Sequence, residues 1–220
     1  MNDEFFLPTY IINLKSRPER LMHIKNEFEG RNEFKINFVE AIEDSVGAAG
    51  LWKTVNKIIK LAIENDDDVI LICEDDHYFT QDYEKKALFD HIIEANNQQA
   101  DLLFGGISGG FTCIVPVTKN RLWVDAYWCN QFLIVYKKFF QTILDTEFDR
   151  TRKVDNTLSG LTSNKMVVFP FISKQKTFGY SDVTQWNNDY PDWAENRFDI
   201  AAEQLQSILE VYSFYHGDLN

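Results

Sequence analysis

The chain is short of cationic residues. Its 22 Lys and Arg face 34 Asp and Glu, a formal net charge of −12 at pH 7. A field of that sign repels phosphate backbones and anionic lipid, which argues against nucleic acid as a partner. A nucleotide ligand stays open, because a divalent cation locally inverts the sign. Cysteine is scarce: Cys73, Cys113 and Cys129 are odd in number, far apart and form no CxxC. That argues against a disulfide framework and a structural zinc site, and points to a reducing compartment. No apolar stretch approaches the ~20 residues of a membrane span. No transmembrane segment is therefore expected, and membrane association, if any, is peripheral. The opening MNDEFFLPTYIINL lacks the basic start and apolar run of a signal peptide. Together these absences predict a cytoplasmic protein. No repeat, low-complexity tract or linker interrupts the 220 residues, so a single domain over 1–220 is expected. Aromatic residues, by contrast, are plentiful, with 18 Phe, enough for a well-packed core with some rings left to face a sugar or a base.

The first half alternates between strand and helix periods. TYIINL (9–14) reads as a strand. Ser16-Arg17-Pro18-Glu19 reads as a helix start, with Ser16 able to cap, and Gly30 as its stop. FKINFVEA (34–41) alternates, with Phe34, Ile36 and Phe38 expected inward. LWKTVNKIIKLAIE (51–64) is amphipathic, VILIC (69–73) is a continuous apolar strand, residues 83–96 are helical and DLLFGGI (101–107) is a further strand. A run without alternation suits a strand covered on both faces. This order is that of an open α/β sheet with crossover helices. In the second half FTCIVPV, CNQFLIVY and KMVVFPFIS read as strands, KKFFQTILD as a helix and residues 193–215 as a long closing helix.

The strand VILIC runs straight into Glu74, Asp75, Asp76 and His77. In an α/β sheet, ligands bind at the carboxyl ends of the strands. Three adjacent carboxylates there repel one another, and a hard cation, Mn²⁺ or Mg²⁺, relieves the repulsion. Strand alternation would turn Glu74 and Asp76 to one side and Asp75 to the other, with His77 as a nitrogen ligand or an orienting group. The competing reading is a solvated strand end. Gly105-Gly106 and Gly109-Gly110 frame Ser108, where glycines permit close backbone approach to a ligand. Trp123, Tyr127 and Trp128 are candidates for stacking on a sugar.

Five stretches in order resemble family 25 glycosyltransferases, the lipopolysaccharide and collagen galactosyltransferase group. They are YIINLKSRPERLMHI (10–24), ILICEDDHYF (70–79), DAYWCNQFLIVYKKFFQTIL (125–144), KVDNTLSG (153–160) and MVVFPFISKQKTFGYSDV (166–183). One departure stands out. The Gly-Cys-x-x-Ser-His stretch usual in that family is replaced by Gly47-Ala48-Ala49-Gly50-Leu51-Trp52. The resemblance implies a GT-A-like α/β fold, a Rossmann-type, mostly parallel sheet flanked by helices. Its nucleotide-binding half would span about 1–110, its acceptor half and C-terminal helix about 111–220. It implies transfer of a sugar, with inversion, from a nucleotide sugar, a UDP-sugar foremost, to a saccharide acceptor in surface polysaccharide or lipopolysaccharide synthesis. It puts the metal on Asp76 with Glu74 or Asp75, and Asn13, Arg17 and Arg20 at the nucleotide. It makes Asp155 the general base; the preceding Arg150, Arg152 and Lys153 would keep its pKa low or touch phosphate, and capping a helix that starts at Asn156 is the competing role. It leaves Tyr127, Ser181 and Asp182 as donor or acceptor contacts, beside Ser108 of the glycine-rich loop.

Two other classes compete. The missing Ser-His suits a non-catalytic relative that binds a sugar or a partner. A nucleotidyltransferase or phosphohydrolase would explain the carboxylates but not the other four stretches.

Overall fold

The structure is a computed structural model that describes residues 5–179 and 193–217. Strand and helix alternate at the start as β1 (Leu7–Asn13), α1 (Pro18–Glu27), β2 (Phe34–Glu40), α2 (Gly47–Glu64) and β3 (Val69–Glu74). A short β4 (His77–Phe79), α3 (Lys85–Asn97) and β5 (Leu102–Phe104) follow. Then come β6 (Ile114–Thr118), β7 (Arg121–Val124), β8 (Phe132–Tyr136), α4 (Lys137–Leu144), α5 (Val154–Leu161), β9 (Lys165–Val168), β10 (Ser173–Gln175) and α6 (Trp193–His216). The main sheet has the order β2-β1-β3-β8-β5-β9-β7-β6, and β4 pairs with β10 in a small second sheet. β1 runs parallel to β2 and β3, and β5 to β9, whereas β8 and β7 run against their neighbours. Six of the eight strands therefore point one way. The chain has an α/β fold, an open Rossmann-type sheet flanked by helices.

Two apolar layers cover the sheet. Trp52, Ile58, Phe139, Leu158, Phe198 and Leu205 place α2, α4, α5 and α6 on one face. Ile24, Phe28, Leu88 and Ile92 place α1 and α3 on the other. β3 explains its own unbroken apolar run: Ile70 and Ile72 enter the first layer, Leu71 and Cys73 the second. Each fully buried aliphatic side chain contributes about 1.5–3 kcal/mol, so a strand packed on both faces anchors the sheet.

Local expectations change in instructive places. Ser16 does not cap α1: the N-cap is Arg17, with no side-chain cap, and Pro18 opens the helix without a donor to satisfy. α2 begins at Gly47, four residues before the apolar run, because Gly-Ala-Ala-Gly is small enough to lie against the preceding loop. A Cβ on Gly50 would sit 2.4 Å from the Ile42 carbonyl oxygen. In β2 Phe38 is 47% exposed and Val39 is buried instead. The Lys25 ammonium lies over the Phe38 ring at 5.6 Å.

β1 leads through α1 to β2 on one side and neighbours β3 on the other, with α1 and α2 on opposite faces. That is a topological switch point, the place where such sheets bind ligands. In register, Ile12 of β1 sits beside Glu74 of β3.

Candidate active site

A cleft of about 430 Å³ opens at this switch point. Asn13, Arg17 and Arg20 line it from β1 and α1, and Glu74, Asp75 and Asp76 from the end of β3. Ser108, Trp128, Cys129, Asn130, Lys153, Asp155 and Gln175 close it from the second half. All three carboxylates of the Glu-Asp-Asp run face the cleft, against the alternation expected of a strand. β3 ends at Glu74, and Asp75 and Asp76 form a turn before β4. His77 takes the other direction. Its Nδ1 meets Ser173 Oγ at 2.7 Å, and its ring packs against Phe28, Phe79 and Phe132. Burial lowers its pKa well below the usual imidazole value, so it is a neutral core residue and not a ligand in the cleft.

Arg20 organises the acidic run. Its guanidinium donates to Asp75 Oδ1 at 3.2 Å and to Asp76 Oδ2 at 3.3 Å, and it lies 4.9 Å from the Phe178 ring centre. All three side chains of this ion-pair cluster are buried. Asn13 Nδ2 donates to Asp75 Oδ2 at 2.7 Å, and Gln175 Nε2 to Asp76 Oδ2 at 2.7 Å. Gln175 reaches Asp76 because β10 pairs with β4, placing Gln175 opposite His77. On the facing wall Asp155 enters from the first turn of α5. Its Oδ2 accepts the Cys129 N–H at 3.2 Å and its Oδ1 the Asn156 N–H at 2.8 Å.

The charges do not balance locally. Burial pushes Glu74 well above the usual carboxylate range, and Asp76, Asp75 and Asp155 push it further. Burial, then Asp75, raises Asp76 to about 6 against the pull of Arg20 and Gln175. Asp155 is also raised, by burial, with the Cys129 and Asn156 amides opposing. The basic neighbours expected to keep it low are only partly available. Arg150 is committed to Asp44 at 2.7 and 3.2 Å, and Arg152 Nη2 donates to the Asn156 carbonyl.

Among the described residues, no group of three His, Cys, Asp or Glu side chains is arranged to hold a metal ion. Two oxygens of Asp75 and one of Asp76 are taken by Arg20, Asn13 and Gln175. Asp76 Oδ1, however, is buried with no hydrogen-bond partner among the described residues. Glu74 lines the same cleft, so these two carboxylates are the ones that would hold a Mg²⁺ or Mn²⁺, which would take its other ligands from water and phosphate. Asp75 fits better as the anchor of Arg20.

Other expected contacts divide. Ser108 lies in the cleft, its Oγ 2.9 Å from Cys129 Sγ. Tyr127 does not reach it: the ring is fully buried at 3.9 Å from that of Phe104, and its hydroxyl donates to Asn130 Oδ1. Trp123 points away and donates to the Ser163 carbonyl, whereas Trp128 lines the cleft. Ser181 and Asp182 lie outside the described residues. Gly105 and Gly106 make room for the protein's own packing instead of a ligand, since a Cβ on each would meet Phe132 at 2.6 Å and the Ser173 carbonyl at 2.1 Å. Sequence reasoning missed Cys129 and Gln175, whose roles arise from long-range contacts with no local pattern.

No family model and no curated protein matches this chain. Among solved structures it is similar to an apo UDP-glucose pyrophosphorylase, at 8% identity over 91% of this chain and 81% of that one, with a TM-score of 0.47. It is also similar to a protein assigned as a glucose-1-phosphate thymidylyltransferase from Bacillus anthracis, at 11% identity over 88% and 75%, with a TM-score of 0.45. Likeness at that level assigns no activity to this chain. No helix among the described residues is long and apolar enough to cross a membrane.

Proposed function

We propose that this chain is a glycosyltransferase of the family 25 type, moving a hexose such as galactose from a nucleoside diphosphate sugar to a saccharide hydroxyl. The observation that carries this is convergence. Asn13, Arg17 and Arg20, the Glu-Asp-Asp run and Asp155 come from three separate stretches and line one cleft at the switch point. In the transfer, the acceptor oxygen bonds to the anomeric carbon as the bond to the diphosphate oxygen breaks, with inversion. Asp155 takes the hydroxyl proton, and its raised pKa suits a general base. Arg17 and Arg20, at the start of α1, supply guanidinium donors and neighbouring backbone amides for the diphosphate. A divalent cation at Glu74 and Asp76 would offset charge on the departing diphosphate. A UDP-sugar is the first donor to try, and surface polysaccharide or lipopolysaccharide the first acceptor class.

A second reading, a sugar- or partner-binding module without turnover, gains from Asp75 being saturated by Arg20 and Asn13. One experiment separates the two. Thermal unfolding is followed with nucleoside diphosphates and their sugars, with and without Mn²⁺, on the wild type and Asp76→Ala. A ligand at a hundredfold excess over its Kd adds ~2.7 kcal/mol of stability. A Mn²⁺-dependent rise with one nucleotide sugar, absent from Asp76→Ala, supports the transferase. No rise with any nucleotide sugar removes the donor site and leaves the binding module.

A further inference from the structure

Three non-glycine residues among those described have left-handed backbones: Asp66, Gln99 and Cys129. Asp66 and Gln99 follow the C-caps of α2 and α3, where such a conformation is an ordinary way to end a helix. Cys129, at φ +81°, ends no helix. It sits in the loop between β7 and β8, in the wall of the cleft, and its side chain is of a type rarely found there. Strain of this kind persists only where the surroundings fix it.

The surroundings are specific. The Cys129 amide donates to Asp155 Oδ2, and its sulfur lies 2.9 Å from Ser108 Oγ and 3.5 Å from Gln175 Oε1. Gln175 in turn donates to Asp76. The preceding residue is pinned on both sides, since the Trp128 carbonyl accepts from the Ser108 amide at 3.2 Å and its amide donates to the Gly109 carbonyl at 2.9 Å. Gly110 packs so closely that a Cβ there would lie 2.7 Å from the Tyr127 carbonyl carbon. One residue therefore joins the Asp155 wall to the Asp76 wall.

We propose that Cys129 is a positioning residue for Asp155: its left-handed backbone aims an amide at the carboxylate. The functional part rests on the reading of Asp155 as the general base. A bland alternative is a small side chain that merely fills the loop.

The test replaces Cys129 with Gly, Asn and Val. Gly and Asn accept a left-handed backbone more readily than Cys, and a β-branched Val accepts it least. The first readout is the carboxyl titration of Asp155 by NMR, which needs no substrate. The groups facing Asp155 are Glu74 from β3, Cys129 and Tyr127 from the β7–β8 loop, and Lys153 from its own helix start. None of these but Cys129 is changed. With Cys129→Val the amide is lost to the carboxylate, and the titration midpoint rises by about one pH unit. With Cys129→Gly and Cys129→Asn it stays near the wild-type value. The second readout is UDP release from UDP-galactose. There Cys129→Val loses kcat about tenfold or more with KM little changed, and Cys129→Gly restores most of that loss.

If Cys129→Val is less stable but Asp155 titrates as in wild type, or if Gly shifts Asp155 as far as Val does, the proposal is overturned. Should Cys129→Val not fold, Cys129→Ala takes its place: the denaturation midpoint must fall below those of Gly and Asn, and the reverse order overturns the strain argument. Wild-type protein that neither binds nor turns over UDP-galactose or any other nucleotide sugar would end the transferase reading, and the Asp155 titration would still decide the positioning.

Discussion

Replacing Asp76 with Asn should make the metal-free protein more stable at neutral pH while abolishing its cation site. Asp76 is buried beside Asp75, and its carboxyl is raised from 3.8 to about 6. The folded state therefore holds the proton more tightly than the unfolded chain. The resulting stability is fully present below pH 3.8 and is lost as pH rises through about 6. By pH 7.5 the loss is about 3 kcal/mol, from about 1.4 kcal/mol per unit of pKa. Asn carries no charge at any pH and escapes this loss. Its side-chain oxygen can still accept from Gln175, and Arg20 keeps Asp75. Weakening the Arg20 contact costs back about 1 kcal/mol, leaving a net gain of about 2 kcal/mol. Urea denaturation in EDTA across pH 4 to 8 measures this, and with slopes of 1–3 kcal/mol per molar the midpoint should rise by about 1 M at pH 7.5. Asn protein that is less stable than wild type at pH 7.5, or that keeps the wild-type pH slope, would refute the assignment of an uncompensated charge to Asp76. Mn²⁺ should then raise the stability of the wild type and leave Asp76→Asn unmoved.

Two further outcomes follow from the same geometry. Asp155→Asn should bind a nucleotide sugar as the wild type does but lose roughly 10²–10⁴ in kcat, read by calorimetry and initial rates. Equal loss of binding would move Asp155 from the acceptor side to the donor side. Gly106→Ala should destabilise the fold by about 3 kcal/mol or more in chemical denaturation, because the new methyl would lie 2.1 Å from a backbone carbonyl that cannot step aside. A neutral result would mean that the loop repacks with little resistance.

What could be read in the sequence was whatever rests on local periodicity. β1, α1, β2, α2, β3, α3 and β5 each announce themselves by apolar spacing, and the closing helix α6 by its length. The apolar run of β3 correctly implied cover on both faces. What local pattern could not carry was pairing across distance. β4 and β10 are three residues each and exist only because they pair with each other, almost one hundred residues apart. That pairing also delivers Gln175 to Asp76. The Glu-Asp-Asp run lies at the end of β3 and lines the cleft, but not in the alternating arrangement its sequence suggests, since alternation stops where β3 becomes a turn. Arg20 as partner of Asp75 and Asp76 joins positions 55 and 56 residues apart, a contact no spacing rule proposes. The pKa of Asp155 is raised, not lowered, because the carboxyl is buried, a consequence of tertiary packing, while Arg150, near in sequence, faces Asp44. Cys129 offers no signal at all, because its residue type argues against the backbone it adopts.

β8 lies antiparallel between β3 and β5, and this governs how the molecule can be assembled. β3 finds its second neighbour only when Phe132–Tyr136 arrives, some sixty residues after β3 is made. A fragment ending near residue 110 would leave β3 with an open hydrogen-bonding edge and β5 with no strand to join it to the rest of the sheet, an invitation to intermolecular pairing. The first half is thus no portable module, to be expressed alone or recombined with a different acceptor half. On the ribosome, the cleft cannot close until the chain has emerged well past residue 136, and the edge of β3 lacks its partner strand through that interval.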